Sequence, residues 1–185
     1  MAKVSRTAVA ALGLLTITAC SEGSGPAAAA LPSAQPIPSV SASASPDARS
    51  IAAAAALEAY RGFRRAQVAA EAVADARSPA LAIFAGDKAL AQERTNLLQL
   101  AQAKIVVTGQ PTFRPEVVSV SLDGDQVVTI SDCVDNGSWS PVFRETGKSA
   151  AAPNQSATVL ATALARPYRQ RWIITELSSD RSRSC

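Results

Sequence analysis

Val127-Val128-Thr129-Ile130-Ser131-Asp132-Cys133-Val134 is the stretch on which the fold turns. Its side chains alternate, which puts Val128, Ile130, Asp132 and Val134 on one face of a strand and Val127, Thr129, Ser131 and Cys133 on the other. A carboxylate on an otherwise apolar face needs a hydrogen-bonding partner, so Asp132 is the first residue here with chemistry to explain. Upstream, Glu116 to Leu122 alternates as well, with Val118, Val120 and Leu122 expected inward and Val117, Ser119 and Ser121 outward. Asp123-Gly124 is a turn signal that joins the two runs as a hairpin.

The same period of two extends in both directions. Ile105-Val106-Val107 precedes it as a short strand, ended by Gly109 and Pro111. Trp139 to Arg144 follows as another, then a loose loop over Gly147 to Gln155. Thr158 to Arg166 and Gln170 to Leu177 read as a last hairpin about Pro167-Tyr168.

Before Lys104 the period is helical. Ser45-Pro46-Asp47 is a helix start, with a Ser cap and proline in the first turn. From there to about Ala76 the chain is rich in Ala, Glu, Arg and Gln, with Leu57, Tyr60 and Phe63 as the apolar stripe. Gly62 inside that run costs about 1 kcal/mol against alanine and marks a close approach. Ser78-Pro79 starts a short helix to Phe84, stopped by Gly86. Asp87 caps a third to about Ala103, with Leu90, Leu97 and Ala101 on one face. Helices first and antiparallel strands after give an α+β class, three helices on one sheet of about five or six strands.

Composition narrows the chemistry. Hydrophobic residues make up 48% of the chain, much of it alanine, and aromatics only 4%. Trp139, Trp172, Tyr60, Phe63, Phe84 and Phe143 are therefore expected to supply much of the core volume. The chain has no histidine. That removes Ser-His-Asp and Cys-His catalysis, the commonest general base and most zinc sites; no metal or cofactor is expected.

The N-terminus carries an address. Lys3 and Arg6 precede an apolar run from Ala8 to Ala19. About a dozen residues span roughly 18 Å as a helix, short of a bilayer core of about 30 Å, so residues 1–19 read as a signal peptide. Leu15-Thr16-Ile17-Thr18-Ala19-Cys20 resembles a bacterial lipobox, which implies cleavage before Cys20 and a diacylglyceryl group on its sulfur. Removing 1–19 takes away Lys3 and Arg6 and no acid, so the formal charge of +3 falls by two. Nothing then argues for nucleic acid, which needs a basic face; Arg166, Arg169, Arg171, Arg181 and Arg183 read as a solvated edge. Residues 20–45 are Ser, Ala, Pro and Gly almost throughout, a disordered tether reaching about 25–30 Å. The domain proper is 46–185.

Three cysteines leave one odd. With Cys20 lipidated, an oxidising exterior favours pairing of Cys133 with Cys185, a metal site being the weaker alternative without histidine.

Ala59-Tyr60-Arg61-Gly62-Phe63, Asp132-Cys133-Val134-Asp135, Trp139, Trp172 and a cysteine near the end together resemble actinobacterial cell-envelope lipoproteins with a nuclear-transport-factor-2-like (NTF2-like, cystatin-like) roll. The resemblance covers roughly 50–185 and implies a long helix wrapped by a curved sheet. It also implies a cone-shaped pocket between them, here lined by Tyr60, Phe63, Asp132, Trp139 and Trp172. One departure is Pro167-Tyr168-Arg169-Gln170, where a simpler turn is expected. Such a domain, held on the outer face of the cytoplasmic membrane, would serve as a binding or assembly module for a small ligand or envelope protein. Dimerisation through the sheet is one arrangement the resemblance allows. The enzymatic alternative has Asp132, near Asp135, as general acid/base in the pocket. Against it stands the simpler reading, in which Asp132 bonds a backbone amide or arginine and Asp135-Asn136-Gly137 is a turn.

Overall fold

The computed structural model describes residues 47–180 and 185. The segment 1–19, Cys20, the tether 20–45, the Ser45-Pro46 start and Arg181 and Arg183 lie outside the described residues.

Helix α1 spans Ala48–Glu71 and is capped by Asp47, whose side chain accepts from the Arg49 amide at 3.2 Å. Asp47 thus takes the capping role expected of Ser45, and the helix stops five residues short of Ala76. Helix α2, Pro79–Phe84, has Ser78 at its cap and proline in its first turn, as expected. Helix α3 runs Asp87–Gln102 behind Gly86, so Asp87 is the first helical residue rather than the cap. The strands follow: β1 Ile105–Thr108, β2 Pro115–Ser121, β3 Val127–Asp135, β4 Ser140–Phe143, β5 Thr158–Tyr168 and β6 Arg171–Asp180.

The α+β class holds, but the single sheet does not. Among the described residues there are two antiparallel sheets, one of four strands in the order β2-β3-β5-β6 and one of two, β1-β4. The turn after Asp135 takes the chain out of the large ladder, and β3 pairs instead with β5 across the intervening β4. β4, only four residues long, finds its partner in the equally short β1. An isolated Thr112–Asp135 bridge continues the β2–β3 pairing just beyond Pro115.

Strand β3 alternates as read, its Val128, Ile130, Asp132 and Val134 all buried. Strand β2 does not. A register shift between Val117 and Ser119 makes Val118 the extra residue of a bulge. Val118 is consequently 60% exposed, and Val117 joins Val120 and Leu122 against the core instead. β6 has a similar irregularity, opposite Leu164 and Ala165, so Ile173, Ile174 and Thr175 are all buried in succession. Its outer edge is covered where the Gly86 amide donates to the Ile174 carbonyl at 2.9 Å. The β5–β6 turn lies at Arg169-Gln170, two residues past the expected Pro167-Tyr168, because Tyr168 still pairs with Arg171. Arg169 takes the positive φ of +55° that closes it.

The core is built differently from what composition suggested. Ala52, Ala56, Ala59, Ala66 and Ala70 of α1 and Ala161, Ala163 and Ala165 of β5 are buried. Short side chains on both elements let the helix lie close to the sheet, so alanine is core material here. Tyr60 and Phe63 fill the space between, with Phe84 and Trp172 packed at the margin. Phe143, at the end of β4, is 43% exposed and leaves the expected core set. In α3 the buried stripe is Ala89, Glu93 and Leu97; Leu90 only borders the core and Ala101 is exposed.

Gly62 is a close approach, as the sequence indicated. A Cβ there would run into the ring of Phe84 on α2. Gly62→Ala should therefore lose roughly 1–2 kcal/mol in urea unfolding, overpacking outweighing the gain in helix propensity. An unchanged or higher midpoint would show that α2 can step aside freely.

Candidate functional site

Strand β3 delivers Asp132 inward and α1 delivers Tyr60 to meet it. Both are fully buried. The Tyr60 hydroxyl donates to Asp132 Oδ2 at 2.7 Å, and the Arg114 backbone amide donates to Oδ1 at 2.6 Å. Both carboxylate oxygens are engaged. The Tyr60 hydroxyl in turn accepts from Arg64 Nε at 2.8 Å, and the Arg64 guanidinium stacks over the rings of Tyr60 and Phe113 at 5.0 and 5.3 Å. Burial first, and the Asp132 carboxylate beside it, push the Tyr60 phenol well above its ordinary range, so it stays protonated.

The chain of polar contacts does not end there. Arg64 Nη1 donates to Gln67 Oε1 at 2.9 Å, and Gln67 Nε2 donates to Glu71 Oε1 at 3.1 Å and to Glu93 Oε2 at 2.9 Å. Asn96 Nδ2 adds a bond to Glu71 Oε1 at 3.1 Å. A continuous polar seam thus runs from β3, along α1, to α3. Tyr60, Arg64, Gln67 and Glu71 are spaced four, three and four apart and occupy one helix face.

Of the expected pocket residues, Tyr60, Phe63 and Asp132 come together, but as solid core. Trp172 packs at its margin, on β6. Trp139 sits beyond the end of β3, half-buried, with its amide bonded to the Asn136 carbonyl at 2.9 Å and its indole N–H buried without a partner. Asp135 is not a partner of Asp132. Three residues along a strand put it on the opposite face, and its Oδ1 accepts the Gly137 amide at 2.9 Å in the expected turn. Each oxygen of Asp132 accepts one structural donor, and the fully buried side chain has no exposure to solvent.

Two clefts open at the surface instead. One, of about 240 Å³, is lined by Ala103, Lys104, Phe143, Glu145 and Thr146. The other, of about 220 Å³, lies between α3 and the β5–β6 ladder, with the Lys88–Glu176 ion pair (3.3 Å) among its lining. Neither is lined by Asp132. Among the described residues no group of His, Cys, Asp and Glu is placed to hold a metal ion, and no helix is long and apolar enough to cross a membrane. Cys133 and Cys185 are joined in a disulfide with their Cα atoms 5.8 Å apart.

The sequence reading missed Arg64, Gln67, Glu71 and Glu93. The signal was present: the three polar residues of α1 continue the stripe begun by Tyr60, and Glu93 stands between Ala89 and Leu97 at helical spacing. Polar residues on an apolar face read as surface unless their partners are known, and the partners that close the two ends of the seam, Asp132 on β3 and Glu93 and Asn96 on α3, come from other elements.

The chain matches no family model and no curated protein. Among solved structures it is similar to the intermembrane space region of the chloroplast protein ARC6, at 18% identity and a TM-score of 0.42, over 69% of this chain and 95% of that one. That degree of likeness assigns neither a ligand nor a partner.

Proposed function

We propose that the chain is an extracytoplasmic lipoprotein, anchored through Cys20 to the outer face of the cytoplasmic membrane. Its domain is an NTF2-like roll that works by binding an envelope partner or small ligand. The observation that carries the reading is the cysteine pairing. Cys133 and Cys185 are bonded to each other, so the remaining cysteine is Cys20, at the end of Leu15-Thr16-Ile17-Thr18-Ala19. A disulfide also fits an exported protein, since the cytosol keeps thiols reduced. The long α1 laid across an antiparallel sheet, with α2 and α3 beside it, supports the roll.

The interior supports binding over catalysis. The expected cone is filled by Tyr60, Phe63 and Asp132, so a partner would meet the outer surface, where the two clefts and the exposed Phe143 lie. Two acyl chains hold a protein stably where one does so marginally, at about 0.8 kcal/mol per buried CH₂.

In the native host, labelled fatty acid should enter the protein, and Cys20→Ala should shift it almost wholly from the membrane fraction to the medium. Unlabelled wild-type protein that stays on membranes would overturn the anchor. Cross-linking on intact cells should then capture one partner from the wild type and lose it in the released variant.

A further inference from the structure

We propose that Glu71 on α1 and Glu93 on α3 hold a single proton between them, and that its loss loosens α3 from α1 as the medium turns alkaline. The inference stands apart from the lipid anchor.

The geometry leaves a buried oxygen of the pair, Glu93 Oε1, without a donor. Gln67 Nε2 reaches Glu71 Oε1 at 3.1 Å and Glu93 Oε2 at 2.9 Å, so those two oxygens are no more than about 6 Å apart. Both of its hydrogens are then spent. Asn96 serves Glu71, and Arg64 Nη1 serves the Gln67 carbonyl rather than either carboxylate. Glu93 Oε1 is buried with no donor to accept from. A proton on that oxygen turns an orphan acceptor into a donor, and Glu71 is the neighbouring carboxylate, held by the same Gln67 amide. Two ionised carboxylates at such a distance, each under a tenth exposed, repel without solvent to screen them.

The surroundings favour the shared proton. Burial first, then the Glu71 charge, pushes the Glu93 carboxyl up to about 8, and burial raises Glu71 too. The opposing charge is Arg64, on α1. Of the other elements packed on α3, β1 has no ionisable residue, and β6 turns Ile173, Ile174 and Thr175 inward while its Glu176 is engaged by Lys88 at the surface. A carboxyl raised in the folded state gives stability that is complete below the unfolded value of 4.5 and is lost as pH climbs to about 8. Across that window one proton lowers the folding constant by up to about tenfold per pH unit.

The test follows thermal unfolding of the full chain from pH 5 to 9, beside Glu93→Gln and the exposed control Glu58→Gln. Wild type and control should lose stability steadily toward pH 8. Glu93→Gln, which sets an amide N–H where the carboxyl proton sat, should flatten that slope and melt above wild type at pH 8. Amide exchange in α3, corrected for intrinsic rates, should rise in wild type between pH 6 and 9. A slope shared by Glu93→Gln and wild type would overturn the proposal, as would unchanged α3 exchange. If Glu93→Gln does not fold, infrared spectroscopy of the wild type decides. A protonated-carboxyl carbonyl band should be present at pH 6.5 and gone at pH 9, and its absence at pH 6.5 refutes the shared proton.

Discussion

Asp132→Ala should cost the domain about 3–5 kcal/mol in equilibrium urea unfolding, the range for removing one partner from a buried, charge-containing network. The side chain is fully buried and answers two donors from different parts of the chain, Tyr60 and the Arg114 amide. Its loss strands both, and it leaves the buried Arg64 guanidinium with no carboxylate at the far side of the Tyr60 hydroxyl. Asp132→Asn is gentler. One oxygen can still accept, but the new NH₂ meets a donor, so a loss of about 1–3 kcal/mol is expected. Tyr60→Phe should fall in the same range, and the double variant should lose less than the two singles together, since they share one bond. Asp132→Ala within about 1 kcal/mol of wild type would mean that water or a rearranged Arg64 replaces the carboxylate.

The second large effect is expected from the disulfide. Cys133 and Cys185 are 52 residues apart, and closing a loop of that length restricts the unfolded chain by about 4 kcal/mol. Reduction, or the Cys133→Ser/Cys185→Ser pair, should lower the melting temperature by roughly 10–15 °C for a domain of this size. Most of the change acts through the unfolded state, so the spectrum of the folded domain should stay nearly the same. An unaltered melting temperature after verified reduction would show that β6, already laddered to β5, holds the C-terminal end without help.

Local pattern carried a good part of the fold. Ser78-Pro79, the Gly86 stop, the alternation of β3 and the Asp123-Gly124 turn are properties of neighbouring residues, and each stands where it was read. Gly62 belongs here too, because glycine inside an otherwise strong helix has little local reason to exist. What failed depended on distant chain. Strict alternation places Val118 inward only in an unbroken ladder, and the bulge opposite Ile130 and Thr129 breaks it. The single sheet failed because β4 chose β1, more than thirty residues earlier, over its neighbours in sequence.

At the candidate site the division is sharper. Alternation alone placed Asp132 on the buried face, and parity alone separates it from Asp135. That one oxygen meets Tyr60 depends on how α1 docks on the sheet, where the buried alanines Ala56, Ala59, Ala163 and Ala165 let the two surfaces close. That the other meets the Arg114 amide depends on the β2–β3 register, which sets Pro115 opposite Asp132. The Glu71–Glu93 contact depends on the α1–α3 crossing. Short-range periodicity therefore settled which side chains face inward, because it is a property of one element's geometry; only the docking of separate elements settled which polar groups meet, because a hydrogen bond forms within about 3 Å and no local pattern encodes that distance.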